Sequence, residues 1–190
     1  MKERESMNNY FVIHGSYGNP YKNWIPYLRT QLSIRKLNCI VPSFTTPYMQ
    51  DYESWKTILM SYFKVGYITE ETTFITHSLG GIFIMKFLIE NNIKIKKIIT
   101  VSGFNNIKYD EDNSLYASFY ITDDELRKIN ELCKEVICFY SDNDPFVPIE
   151  KAEHFADIVK GKKVLINNAG HFNEKYGYKE FKEILKYVYI

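Results

Sequence analysis

The amino-acid sequence predicts a doubly wound α/β domain, a mostly parallel sheet flanked by helices on both faces. Three observations carry the prediction. Short unbroken apolar runs recur along the chain, and segments of helical period separate them. The runs do not alternate apolar with polar, as strands with one wet face would, so they read as strands covered on both sides. Neither a repeat nor a linker interrupts the pattern, so one domain is expected over residues 9–190.

The first strand is Tyr10-Phe11-Val12-Ile13, ended by His14-Gly15. A helix follows from Trp24 to Lys36, with Trp24, Tyr27, Leu28 and Leu32 on one stripe. Cys39-Ile40-Val41 makes the second strand, stopped by Pro42, and Tyr52 to Phe63 the next helix. Thr73-Phe74-Ile75-Thr76 is a third strand. The helix after it, Gly80 to Glu90, is apolar nearly all round, which marks it as covered on several sides. Ile98 to Val101 and Val136 to Tyr140 are further strands. Between them Thr122 and Glu125 form a T-x-x-E capping box that opens a helix to about Leu132. Pro148 introduces another helix, Val164-Leu165-Ile166 is the last strand, and Phe181 to Val188 the closing helix. Residues 103–121 lack helical period and follow a strand, so a short cap over the carboxyl edge of the sheet is expected there.

Composition narrows the partners. The 24 basic and 23 acidic residues leave a net charge of +1, which gives no basis for a nucleic-acid or membrane-surface partner. The three cysteines, Cys39, Cys133 and Cys138, form no C-x-x-C pair and read as inert thiols in a reducing compartment. With no apolar run long enough to span a bilayer, a cytoplasmic protein is expected. Residues 1–8 are charged, carry a second methionine at Met7, and read as a leader or tag outside the fold. No two histidines have zinc-helix spacing and no phosphate-loop motif occurs, so neither metal nor cofactor is expected.

Thr76-His77-Ser78-Leu79-Gly80-Gly81 lies between a predicted strand and a predicted helix. A sharp turn there lifts the Ser78 hydroxyl above the sheet edge and exposes backbone N–H groups at the helix start. The pattern departs from G-x-S-x-G at Thr76. After a later strand comes Ser141-Asp142-Asn143-Asp144-Pro145-Phe146. Its spacing favours Asp144 as the acid that orients an imidazole, with Asp142 as a turn residue bonding its own backbone. Gly170-His171-Phe172 follows the last strand and supplies a base. Serine, acid and histidine thus occur in the order that the α/β-hydrolase topology requires. His14-Gly15-Ser16-Tyr17-Gly18, after the first strand, would lie beside the serine turn. An amide from Ser16 or Tyr17, with Ser16 preferred, would pair with that of Leu79 as an oxyanion hole. His14, Tyr17, Trp24, Phe104, Phe146 and Phe172 are the expected pocket lining, with Tyr116 and Phe119 as further aromatic candidates. His77 reads as packed or hydrogen-bonded, and His154 as exposed.

On Val12 to Gly15, His77-Ser78, Asp144-Pro145-Phe146 and Gly170-His171-Phe172, the chain resembles the small serine hydrolases of the retinoblastoma-binding protein 9 and YdeN family. The resemblance covers nearly the whole chain from Asn9. It implies an α/β-hydrolase fold with a minimal cap and Ser78, Asp144 and His171 as the triad. A small acyl ester, thioester or amide is the expected substrate. The L-x-C-x-E segment behind the mammalian member's name has its nearest match in Leu37 to Val41, which ends in valine, so that partner is not carried over. Thr76 supports a second reading, a hydrolase fold that binds a molecule with little turnover.

Overall fold

The computed structural model describes residues 8–105 and 114–189. Six strands form one sheet in the order β2-β1-β3-β4-β5-β6, and every neighbouring pair is parallel. In chain order these are β1 (Asn9–Ile13), β2 (Asn38–Ile40), β3 (Thr73–His77), β4 (Ile95–Val101), β5 (Cys133–Tyr140) and β6 (Lys162–Leu165). The connecting helices are α1 (Ile25–Ile34), α2 (Tyr52–Lys64), α3 (Leu79–Glu90), α4 (Ser114–Ala117), α5 (Asp123–Leu126), α6 (Ile129–Leu132) and α7 (Ile149–Ile158), and α8 (Leu185–Val188) closes the chain.

Strand side chains alternate between two separate cores. Phe11, Ile13, Phe74, Ile98 and Cys138 face a core shared with Trp55 and Leu59 of α2, Phe83 of α3 and Phe155 of α7. Their neighbours Val12, Ile75, Ile99, Ile137 and Phe139 face the other, with Leu28 and Leu32 of α1 and Val188 of α8. A period of two that is apolar on both sides is why the strand sequences show no alternation. Chain direction across the sheet reverses between β1 and β3, the crevice where open α/β sheets hold ligands.

Two predicted helices are broken or shorter than expected. The capping box at Thr122 is formed, with the Thr122 hydroxyl accepting from the Glu125 amide and the Glu125 carboxylate accepting from the Thr122 amide. The helix it opens breaks after one turn and restarts as α6. The closing helix is only the four residues of α8, and Phe181 and Ile184 reach the core from the turns before it. Of the expected cap, residues 106–113 lie outside the described residues. The rest holds α4 and is tied down by Ser118, which accepts from the Tyr52 amide through its hydroxyl and from Lys86 through its carbonyl.

Candidate active site

Ser78 sits between β3 and α3 with φ +53° and ψ −125°, a conformation that side-chain-bearing residues rarely adopt. The turn is held because its amide donates to the Val101 carbonyl at 2.8 Å and because two glycines let backbones close around it. A β-carbon on Gly80 would lie 2.8 Å from the His14 carbonyl oxygen, and one on Gly15 2.8 Å from both the His77 carbonyl and the Ser78 β-carbon. The elbow at the end of β3 is thus held between the ends of β1 and β4. Thr76 does not disturb it. Its side chain is buried against Ile99 of β4, and Gly81, the third residue of α3, leaves it room.

His171 Nδ1 lies 2.8 Å and 3.0 Å from the two oxygens of Asp144. A carboxylate only accepts, so Nδ1 carries the proton and Nε2 is left as a base. The Asp144 carboxylate is buried and also accepts from the Phe146 and Val147 amides and from the Ser102 hydroxyl, at 2.9, 3.1 and 2.8 Å. Burial alone pushes its pKa up. The hydrogen bonds and the imidazole outweigh that, and the carboxyl stays below its ordinary value, ionised at neutral pH.

The loop bearing Asp144 also fastens the loop bearing His171. Asp142 accepts from the Asn168 amide, Ser141 from Ala169 and Asn143 from Gly170, at 2.7, 3.0 and 2.7 Å. Asp142 therefore bonds across to another loop rather than to its own backbone. From the other side, His77 Nε2 donates to the His171 carbonyl at 2.9 Å, and the two rings lie 4.9 Å apart. Burial, with His171 adding to it, drives the His77 pKa down to about 3, so it stays neutral beside any charge on His171.

The two candidate oxyanion amides are separated by a third loop. The Tyr17 amide donates to Thr46 Oγ1 at 2.8 Å and is engaged, which leaves the Ser16 amide as the candidate on this loop. Gln50 holds this arrangement, accepting from both the Ser16 and the Thr46 hydroxyls. His14 accepts from the Phe44 amide on Nε2 and donates to the Gly15 carbonyl from Nδ1.

Ser78 and His171 open onto one cavity of about 500 Å³. Of the expected lining, His14, Tyr17, Phe104 and Phe146 are in it, with Ser16 and Tyr116. Trp24 and Phe172 are not. Both are fully buried on the α1 side of the sheet, each packed on Phe181, because their chain segments face that core. Phe119 likewise belongs to the opposite core, against Trp55. Sequence reasoning missed Ser102, Asn143 and Gln50. Ser102 was open to discovery as a serine just past β4, at the sheet edge that carries the other site residues; the other two had no local signal.

Among the described residues no group of three or more His, Cys, Asp or Glu stands together to hold a metal. Nor is any helix there long and apolar enough to cross a membrane.

Solved structures that share this architecture are α/β-hydrolases, and that is the class to which the fold belongs. The product of ydeN from B. subtilis has a TM-score of 0.83 at 23% identity, covering 95% of this chain and 96% of its own. Est1E of Butyrivibrio proteoclasticus, solved with ferulic acid, has a TM-score of 0.69 at 17% identity over 91% of this chain and 85% of its own. At such identities the likeness speaks for the fold alone. The chain itself belongs to the serine hydrolase family, whose profile matches residues 10–189. Serine hydrolase RBBP9 of Rattus norvegicus is similar to it, 25% identical over 166 residues that cover 87% of this chain and 84% of the rat protein.

Proposed function

We propose that Ser78, His171 and Asp144 are the catalytic triad of this serine hydrolase, and that it cleaves a small ester, thioester or amide through an acyl-enzyme on Ser78. The single observation that carries the reading is the Asp144–His171 pair, 2.8 Å apart, with His171 lining the same cavity as a serine held at φ +53°. His171 Nε2 takes the proton as the Ser78 hydroxyl attacks the acyl carbon. The oxyanion forms against the amides of Ser16 and Leu79, the second of them at the positive end of α3. His171 then returns the proton to the leaving group, and a water activated by the same imidazole frees the acid. A cavity of about 500 Å³, walled on one side by Phe104, Tyr116, Phe146 and Val147, suits a short or single-ring apolar group rather than a long lipid chain.

The test is intact-mass analysis after an uncharged fluorophosphonate, on wild type, Ser78→Ala and His171→Ala. One adduct is expected on wild type, none on Ser78→Ala, and labelling at least about a hundredfold slower on His171→Ala. A folded wild type that takes no adduct sinks the proposal.

A further inference from the structure

The catalytic cavity is not the whole of the depression at this sheet edge. Tyr17, Gly18, Asn19 and Lys22 line it on one side and, on the other, line a second groove of about 660 Å³ whose far wall is Ser43 to Tyr48. The two spaces therefore meet along a shared wall. Their chemistry differs. The first has the apolar surface of Ile25, Phe104, Tyr116, Phe146 and Val147, with Glu174 and Lys175 also in its lining. The second has Lys22 as its one charged lining residue and no carboxylate. Among the described residues no acid pairs with Lys22.

The groove offers open donors at Asn19, Lys22, Ser43 and Tyr48. The Asn19 side-chain oxygen is already engaged by the Tyr21 amide, which leaves its NH₂. Thr45 and Thr46 spend their hydroxyl protons on Met49 and Gln50. Ser43, Tyr48 and the Lys22 ammonium supply the rest. Tyr17 and Tyr48 border the groove 60% and 82% exposed, ring surface that an occupant would take out of water. The wall is fixed relative to the chemistry, because Thr46 accepts from the Tyr17 amide and Gln50 from the Ser16 hydroxyl.

We infer that the substrate spans both spaces, its apolar part in the cavity beside Ser78 and a polar, negatively charged end in the groove, paired with Lys22. This rests on the acyl-enzyme reading and deepens it: the substrate is an anionic ester, thioester or amide rather than a neutral one. A carboxylate, phosphate or sulfonate has the acceptor oxygens that these donors and the Lys22 ammonium need. The anion sits on either the acyl or the leaving-group side, and two ester pairs separate these cases. Phenyl butyrate against 4-sulfophenyl butyrate places the charge on the leaving group. 4-Nitrophenyl butyrate against 4-nitrophenyl hydrogen glutarate places it on the acyl group.

Steady-state kinetics on both pairs are measured for wild type, Lys22→Arg, Lys22→Ala and Lys22→Glu, each rate divided by that of hydroxide with the same ester. In one pair, wild type is expected to favour the charged ester. Lys22→Ala should lower the charged-to-neutral ratio of kcat/KM about threefold and Lys22→Glu about tenfold, while Lys22→Arg keeps it. Added salt should shrink the wild-type preference. Tyr48→Ala should weaken the charged ester alone. Labelling by the uncharged fluorophosphonate is measured on every variant as the check that Ser78 is still reactive. If it proceeds normally and Lys22→Glu leaves the ratio unchanged in both pairs, the anionic groove is wrong and the acyl-enzyme stands. If wild type takes no label at all, both fall.

Discussion

Thr76 occupies the position where a serine elbow most easily takes glycine, and its neighbours absorb the extra volume. It is fully buried in β3, and a β-carbon on Gly81 would come within 3.4 Å of its hydroxyl. Glycine at 81 returns the room that threonine takes at 76. Thr76→Gly should therefore lower stability by about 1–2 kcal/mol, from lost packing and strand propensity, while Ser78 labelling stays within about threefold of wild type. Urea unfolding beside labelling kinetics checks this, and a large gain in labelling would mean that threonine does strain the elbow. His77 is the other residue whose role turns on one bond. Its Nε2–H donates to the His171 carbonyl and so holds the backbone that carries the imidazole. His77→Leu should lower kcat about tenfold with KM little changed, and His77→Gln, which keeps a donor at similar reach, should recover part of it. Equal loss in both variants would assign His77 to packing alone.

At the scale of elements, the site is a meeting of strand ends joined by loops that bond one another. Every strand of a parallel sheet ends on the same edge, so β1, β3, β5 and β6 deliver their following loops to one place. The loop after β5 then matches the loop after β6 nearly residue for residue, from Asp142 with Asn168 to Asp144 with His171. Gly170 completes it at φ +54°, where any β-carbon would run into the Tyr176 ring. Asn143→Ala frees the Gly170 amide and removes the Ser141 contact. It should cost about tenfold in kcat with a modest loss of stability, about 1 kcal/mol. Kinetics and thermal unfolding of the variant measure both, and an unchanged kcat would show that the Asn143 bond is not needed to hold His171.

For the whole molecule, pH acts through groups that folding keeps from their protons. His77 is neutral in the fold down to about pH 3 and accepts a proton near pH ~6.5 when unfolded. In that window the unfolded chain binds more protons, so stability falls as pH is lowered, by up to about 1.4 kcal/mol per pH unit for one such group. Burial lowers the His14 pKa too and adds to the slope. Asp144 acts further down. Its depressed carboxyl stabilises the fold above the ordinary value near ~3.9, and that contribution is lost as pH falls through its folded value. Urea midpoints from pH 4 to 7 should thus rise with pH, and His77→Gln should flatten the rise. A variant with the wild-type slope would remove His77 as the cause.

Much of this protein was legible in the sequence because the relevant forces are local or follow from chain order. Apolar runs such as Ile98 to Val101 declare doubly covered strands, and the T-x-x-E box at Thr122 declares a helix start, through contacts a few residues apart. Serine, acid and histidine could be ranked because parallel topology turns order along the chain into position along one edge. Tertiary structure alone decided the rest, where the deciding neighbour is distant in sequence. Trp24 and Phe172 are as aromatic as Phe104 and Phe146, yet the first two fill the core and the last two line the cavity, according to what each segment packs against. Thr46 engages the Tyr17 amide across 29 residues, and Asn143 meets Gly170 across 27. Sequence reveals which groups a chain has; which of them remain unpaired and able to act depends on hydrogen bonds that form only when remote loops come together.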